Sequence, residues 1–356
     1  TPVRSRGPAF VVETRLMEAH LLSPATEAMR HHTGVVIPVY FPADADPGLG
    51  QTLLADNVRA YVQQIDDPRR ICLSVDGPAH GREVAESLAA ECGVITVCAP
   101  ENRGKHNGLR HGVAALWERE ELRYIAAVDS DGDHFANELL NLVRAAVYVQ
   151  GREGGEVLVL GRRSSKHRPM GLLRGELEEL ADRVLLDVFY YWAALSGEPL
   201  RLEYATTHEE YPDFHSGFKL YSCGVVPPVF LAEPELCDLD YEAYYRHGCE
   251  AVATVEALLA GARLVLVGRS TFNEQPVSAF GQYNRERMVA DKIIWPCKRL
   301  GVPAPFVDQW LRNHLPRLLL NTLAPEGKEE LLQIRRLVLE AFELKADDLS
   351  WGPLFV

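Results

Sequence analysis

The chain has 356 residues, 47% hydrophobic and 24% charged, enough for one large domain or two modest ones and too apolar for wholesale disorder. Its 37 basic and 50 acidic residues leave a formal net charge of −13, which argues against a general nucleic-acid binder yet leaves room for a local basic pocket. Seven scattered cysteines, Cys72, Cys92, Cys98, Cys223, Cys237, Cys249 and Cys297, form no C-x-x-C pair, so reduced thiols in a cytoplasmic protein are expected rather than structural zinc.

The opening TPVRSRGPAF lacks the long apolar core of a signal peptide. GVVIPVY (Gly34–Tyr40) then reads as a strand, and Leu54, Val58, Tyr61, Val62 and Ile65 mark one face of a helix. ICLSV (Ile71–Val75) is a second strand, closed by DGPAHG, and a helix through Val84 and Leu88 leads to a third, Val94–Cys98. Leu109, Val113, Leu116 and Trp117 make another helical stripe before the strand YIAAV (Tyr124–Val128). A helix carrying Leu139, Leu142, Val143, Ala146 and Val147 follows, with Asn137 as its expected N-cap, and then the strand VLVLG (Val157–Gly161). A helical region covers roughly 171–195; its apolar run VLLDVFYYWAAL holds Asp187 and falls short of the ~20 residues a membrane span requires. Any membrane contact is therefore expected to be peripheral. RLVLVG (Arg263–Gly268) is a late strand, and from about Pro303 the pattern is helical again, with Leu331, Ile334, Val338 and Ala341 on one face.

Strands that alternate with helices and are apolar throughout predict a mostly parallel sheet covered on both faces. Such sheets take ligands at the carboxyl ends of their strands, where the strand order reverses. Three polar loops share that rim: DGPAHG, APENRGKHNG and the run AAVDSDGDHF with Asp129, Asp131 and Asp133. Three carboxylates so close repel one another unless a cation or donors stand among them. A calcium loop opening at Asp129 would need glycine sixth and glutamate twelfth, where His134 and Leu140 stand, so that reading fails. Two remain: a divalent-metal site for substrate phosphates, with Asp129 and Asp131 on one side of an extended strand, or a solvated acidic turn.

The rim segments also come in a recognisable order: GVVIPVY, LSVDG, ENRGKHNGLRHGV, AAVDSDGDHFANEL, LVLGRR and DFHSGFKLY. In this the chain resembles the family 2 glycosyltransferases of the GT-A fold, most closely the dolichol-phosphate mannosyltransferase branch and its polyprenyl-phosphate relatives. That branch carries DADGQH, NRGKG and D-x-x-SGF-[RK]-x-Y, which here read DSDGDH, NRGKH and DFHSGFKLY. The resemblance covers about 34–281. It implies a nucleotide-binding half near 34–165, an acceptor half near 166–284, an N-terminal extension over 1–33 and a C-terminal helical appendage over 285–356.

The resemblance implies roles for matching positions. Asp129 and Asp131 are expected to hold magnesium or manganese and the nucleotide diphosphate, with Asp133, in place of the usual glutamine, as a third metal ligand. Pro38 and Tyr40 would line the nucleoside and Asp76 the base or ribose, with Ser130 also on the donor side. Arg103, Lys105, Arg162 and Arg163 are donor-side cations. His215, Ser216, Gly217 and Lys219 would face the acceptor. Asp238 and Asp240, in the carboxylate-rich AEPELCDLDYEAY, are candidate bases for a hydroxyl acceptor. Gln282 and Arg285 echo the Q-x-x-R-W of processive synthases without its tryptophan. Each of these positions also has a bland reading, as a turn residue or solvated charge.

The expected activity is transfer of a sugar from a GDP- or UDP-sugar, with inversion, to a polyprenyl phosphate or a soluble metabolite. A sugar-1-phosphate nucleotidylyltransferase is disfavoured by the absence of a glycine-rich loop after the first strand. A non-catalytic nucleotide-sugar-binding protein is the other alternative, and self-association as a homo-oligomer is left open.

Overall fold

A computed structural model describes residues 23–41, 47–77, 81–119, 121–205, 211–272 and 284–344. Most of the expected N-terminal extension, residues 78–80 of the rim loop DGPAHG and Gln282 lie outside the described residues. A helix over residues 23–32 (α1) runs directly into β1 (Thr33–Val39). The Thr33 hydroxyl fastens that junction by donating to the Ala28 carbonyl at 2.9 Å.

The alternation read from the sequence is present: α2 (Pro47–Val62), β2 (Ile71–Val75), α3 (Gly81–Cys92), β3 (Ile95–Cys98), α4 (Lys105–Trp117), β4 (Tyr124–Ala127), α5 (Leu139–Glu153) and β5 (Val157–Arg163). Asn137 is not a cap; it lies inside a 3-10 turn, Ala136–Glu138, that precedes α5. A four-residue helix α6 (His167–Met170) and the long α7 (Leu172–Ser196) follow, then β6 (Lys219–Ser222), α8 (Cys249–Leu259) and β7 (Arg263–Arg269). Four helices close the described chain: α9 (Arg285–Arg299), α10 (Ala304–His314), α11 (Leu320–Leu323) and α12 (Gly327–Ala341). None of the described helices is long and apolar enough to cross a membrane.

The seven strands order as β3-β2-β1-β4-β6-β5-β7. The chain builds outward from β1 through β2 to β3, then returns to place β4 on the other side of β1. The carboxyl ends of β1 and β4 therefore bracket the point where the order reverses, which opens a crevice between them. The neighbours are parallel except around β6, which runs antiparallel to both β4 and β5. β6 is the strand the sequence did not disclose: KLYS is too short to show a period, and all four residues are buried.

Side-chain alternation along the strands feeds two cores. Val35, Ile37 and Val39 of β1 pack under α2 and α5 with Leu54, Val58, Leu139 and Leu142. Val36 points the other way, into a larger core with Leu109 and Val113 of α4 and Val184 and Phe189 of α7. That second core also takes Ile293, Ile294 and Trp295 of α9 and Ile334 and Val338 of α12. The C-terminal helices are thus part of the core that backs the sheet, not an appendage resting on its surface. Trp295 is fully buried and its indole N–H donates to the Glu235 carbonyl at 2.9 Å.

Trp295→Ala is expected to cost about 3–5 kcal/mol, measured by urea unfolding, with far-UV and near-UV signals lost in the same transition. Two well-separated transitions would show an independently folded C-terminal part.

Candidate active site

The crevice at the switch point is a cleft of about 340 Å³ lined by Pro38 and Tyr40 from the end of β1, Asp76 from the end of β2, and Asp129, Ser130 and Asp131 from the end of β4. Its opposite wall comes from later in the chain: Arg163, Arg174, Glu178, His247, Glu250 and Lys292. Acidic and basic groups alternate around the cleft, and most are paired.

The aspartate loop is held by its own backbone. β4 ends at Ala127, so a turn rather than strand alternation brings Asp129 and Asp131 to the cleft. The Asp129 N–H donates to His134 Nδ1 at 2.9 Å, and Asn57 Nδ2 donates to the Asp129 carbonyl at 2.8 Å. His134 is buried and stacks on Phe218 with ring centroids 4.9 Å apart. Gly132 sits at φ +81°, where the chain reverses. Beyond it Asp133 turns away from the cleft. Its carboxylate accepts from Arg269 Nη1 at 3.0 Å and from the Phe272 N–H at 2.6 Å, which ties the loop to the end of β7. Asp133 is therefore an anchor in this structure and does not join Asp129 and Asp131 as the expected third ligand.

Lys105, at the first position of α4, reaches into the cleft. Its Nζ lies 2.6 Å from Asp129 Oδ1 and 2.8 Å from Glu250 Oε1. Burial alone would raise both carboxyls, but the ammonium outweighs it and holds both below the ordinary range. Asp131 has no such cation: burial, then the charges of Asp129 and Asp133, push it up to about 7. One carboxylate of the pair is thus neutralised by protein and the other is under electrostatic pressure.

A two-carboxylate end facing open cleft fits a hard divalent ion completed by water and phosphate oxygens. It does not form a cage by itself: among the described residues no group of three His, Cys, Asp or Glu side chains is arranged to hold a metal.

Asp76 is occupied by the loop before α4. It accepts the N–H groups of Arg103 (3.1 Å) and Gly104 (2.7 Å) and the Asn107 amide (3.4 Å). Arg103 contributes only its backbone there; its guanidinium pairs with Glu101 at the surface, 3.1 Å away. Neither Arg103 nor Arg162 lines the cleft.

Arg163 does line it, but its fork is engaged by Asp213, with Nη2 to Oδ1 at 2.6 Å and Nε to Oδ2 at 2.9 Å. Lys292 of α9 donates to Glu178 of α7 at 2.7 Å. Burial would raise Glu178, yet Lys292 and Arg163 bring it down to about 2.

The SGFK segment supports the site from behind. His215 Nδ1 lies 2.7 Å from Asp182 Oδ1, and the Lys219 ammonium donates to the carbonyls of Phe214 (2.9 Å) and Ser216. Burial lowers Lys219 to about 8. None of His215, Ser216, Gly217 and Lys219, expected to face an acceptor, lines the cleft. Gly217 matters through space: a Cβ there would sit 2.6 Å from Asp129 Oδ2 and 2.9 Å from Lys105 Nζ.

The two expected bases also lie elsewhere. Asp238 is exposed in a loop at φ +60°, and Asp240 caps a turn by accepting the Ala243 N–H at 2.9 Å. Glu250, Glu178, His247 and Lys292 were not singled out from sequence; only Glu250, an acid just past Gly248 at a helix start, had a local signal. No protein-family profile matches the chain, and no curated protein matches it in sequence.

Gly217→Ala is expected to displace the Asp129–Lys105 pair and cost about 1–3 kcal/mol, whereas Gly268→Ala, with nothing within 4 Å of the added carbon, should be silent in the same thermal melts. A second expectation concerns His106, fully buried among Phe230, Tyr244 and Tyr245, which burial lowers to about 3. A histidine kept neutral in the fold but titrating near 6.5 when unfolded supplies stability above pH 6.5 that is lost towards pH 3, at up to about 1.4 kcal/mol per pH unit. His106→Phe should flatten that acid loss in urea midpoints measured from pH 7 to pH 4.

Proposed function

We propose that this chain is a glycosyltransferase that takes a sugar from a nucleoside diphosphate sugar. The observation that carries the proposal is the pairing of Asp129 and Asp131 at a strand end on the sheet's switch point, across a cleft from a wall that carries Arg163, Arg174 and Lys292 beside Glu178 and Glu250. The ordered rim segments of the sequence support the same reading.

In this reading the nucleoside lies against Pro38 and Tyr40, with Asp76 fixing the loop that frames it. The diphosphate points to Asp129 and Asp131, which would hold magnesium or manganese; when bound, that ion neutralises phosphate charge and eases departure of the diphosphate. Lys105 holds Asp129 ionised and in place, and its own positive charge stands beside the leaving group. The sugar then faces the wall formed by Glu250, His247 and Glu178. An acceptor entering from that wall attacks opposite to the leaving diphosphate, so a single displacement inverts the anomeric carbon. Pre-set charges around the cleft need little reorganisation as negative charge moves onto the diphosphate.

Thermal melts with UDP, GDP, CDP and dTDP, each with manganese or magnesium, test the reading. One nucleotide at 100 times its Kd should stabilise the protein by about 2.7 kcal/mol, a shift of about 4 °C for a chain of this size. Asp131→Asn should abolish the metal-dependent part of that shift, while Asp133→Asn should chiefly lower the melting temperature of the free protein. No shift with any nucleotide, metal present, would overturn the proposal.

A further inference from the structure

We infer that His247, oriented by Asp291, is the general base of this site, and that its acceptor is therefore a hydroxyl group rather than a phosphate monoester. The inference rests on the transferase reading above and deepens it. His247 is the last residue of a π-helical turn, Ala243–His247, that passes through Gly248 into α8. Such turns distort the helical ladder and re-aim a side chain. Here the imidazole lines the cleft, in the same wall as Glu250, three residues further on. Through Glu250 that wall is joined to Lys105 and, from there, to Asp129 at the donor end.

The orientation of the ring is built in. His247 Nδ1 lies 2.6 Å from Asp291 Oδ2, and Asp291, 1% exposed, is on the buried side of α9. The other carboxylate oxygen accepts from Arg287 Nε at 2.8 Å, so Asp291 stands between the imidazole and a cation on its far side. Nδ1 must then carry the proton that it donates to Asp291, and the proton-accepting lone pair falls on Nε2.

No carboxylate on that wall is as well suited. Glu250 is held by Lys105, and Glu178 by Lys292 and Arg163, each kept below the ordinary range by its partner. A base pinned by a cation has little affinity for a proton, whereas the His247 ring is paired with a carboxylate. Arg246 in the same turn and Lys292 on α9 also line the cleft.

The step balances within the site. The acceptor O–H gives its proton to His247 Nε2 as its oxygen bonds to the anomeric carbon. The bond from that carbon to the diphosphate oxygen breaks, and the diphosphate leaves with the electron pair. The proton remains on the imidazolium, whose charge Asp291 stabilises without taking the proton. A phosphate monoester arrives already ionised and needs no such group, so a built histidine–aspartate pair points to a hydroxyl.

The test uses the full chain with manganese and, as donors, UDP-glucose, GDP-mannose, CDP-glucose and dTDP-glucose, measuring release of nucleoside diphosphate to water and glycerol. His247→Gln should lower turnover at least 100-fold, and Asp291→Asn at least 10-fold, while both keep the nucleotide-induced thermal shift. His247→Ala should be rescued in part by added imidazole, which a structural role would not allow. Turnover retained in His247→Gln would overturn the base, as would transfer to farnesyl phosphate that exceeds transfer to glycerol and is untouched by the substitution. A wild-type protein that neither binds a nucleotide nor turns over a donor sinks the transferase reading itself, and the base with it.

Discussion

One ammonium group holds the cleft together. Lys105 opens α4, yet its charge lies between the carboxylate that ends β4 and the carboxylate that starts α8. Without it Asp129 and Glu250 would face each other across a poorly solvated gap, where like charges repel strongly. The rest of the local structure accommodates this contact. Gly104 takes φ +117° so that the chain can pass against the backbone of Tyr245 and Arg246 and still deliver Lys105 to the cleft. Gly217 leaves the room that Asp129 and Lys105 fill. Asp76 uses its carboxylate to fix the preceding loop. The clamp also creates an asymmetry: Asp129 has its cation built in, and Asp131 does not.

The far wall follows the same logic with different partners. Arg163 with Asp213 ties β5 to the segment that precedes β6, Lys292 with Glu178 ties α9 to α7, Lys166 with Asp182 ties the chain after β5 to α7, and His247 with Asp291 ties the π-helical turn to α9. Buried ion pairs of this kind contribute little net stability, because removing both charges from water costs about what their attraction returns. Their value is geometric. Each pair fixes one side chain relative to another element, and together they set the position of α9, which carries both Lys292 and Asp291. Apolar packing of Ile293, Ile294 and Trp295 supplies the burial that holds that helix in place. This division of labour explains why the C-terminal helices belong to the site as much as to the core.

Much of the framework was legible in the sequence, because periodicity and turn chemistry are local properties. β1 to β5, the helices between them and the shared rim of three loops follow from alternation of apolar runs alone; Asp129 and Asp131 reach the cleft as expected, but on a turn past β4 rather than on an extended strand. What was hidden depends on contacts between distant residues. Lys105 and Glu250 are 145 positions apart, and Glu178 and Lys292 are 114 apart, so no window of sequence reveals either pair. β6 is too short to show a period. Asp133 looked like its two neighbours because spacing cannot show that Arg269, on β7, would claim its carboxylate. Asp238 and Asp240 looked like bases because acids at the start of an element look alike whether they face solvent or a cleft.

The segment Asp213–Tyr221 shows how a motif can be recognised and its residues still misplaced. It reads as a contact surface, but its charged groups are spent on the protein: Asp213 on Arg163, His215 Nδ1 on Asp182, Lys219 on two carbonyls. A buried network of paired charges is costly to rearrange, since any group left unpaired there loses its hydrogen bonds without regaining water. Such a segment is suited to hold Asp129 and Lys105 still rather than to adapt to a ligand. The groups left to meet an acceptor are then those on the opposite wall, where the π-helical turn delivers His247. In the proposed reaction the donor end is rigid because its charges are locked in pairs. Proton transfer in that reaction falls to His247, which Asp291 orients.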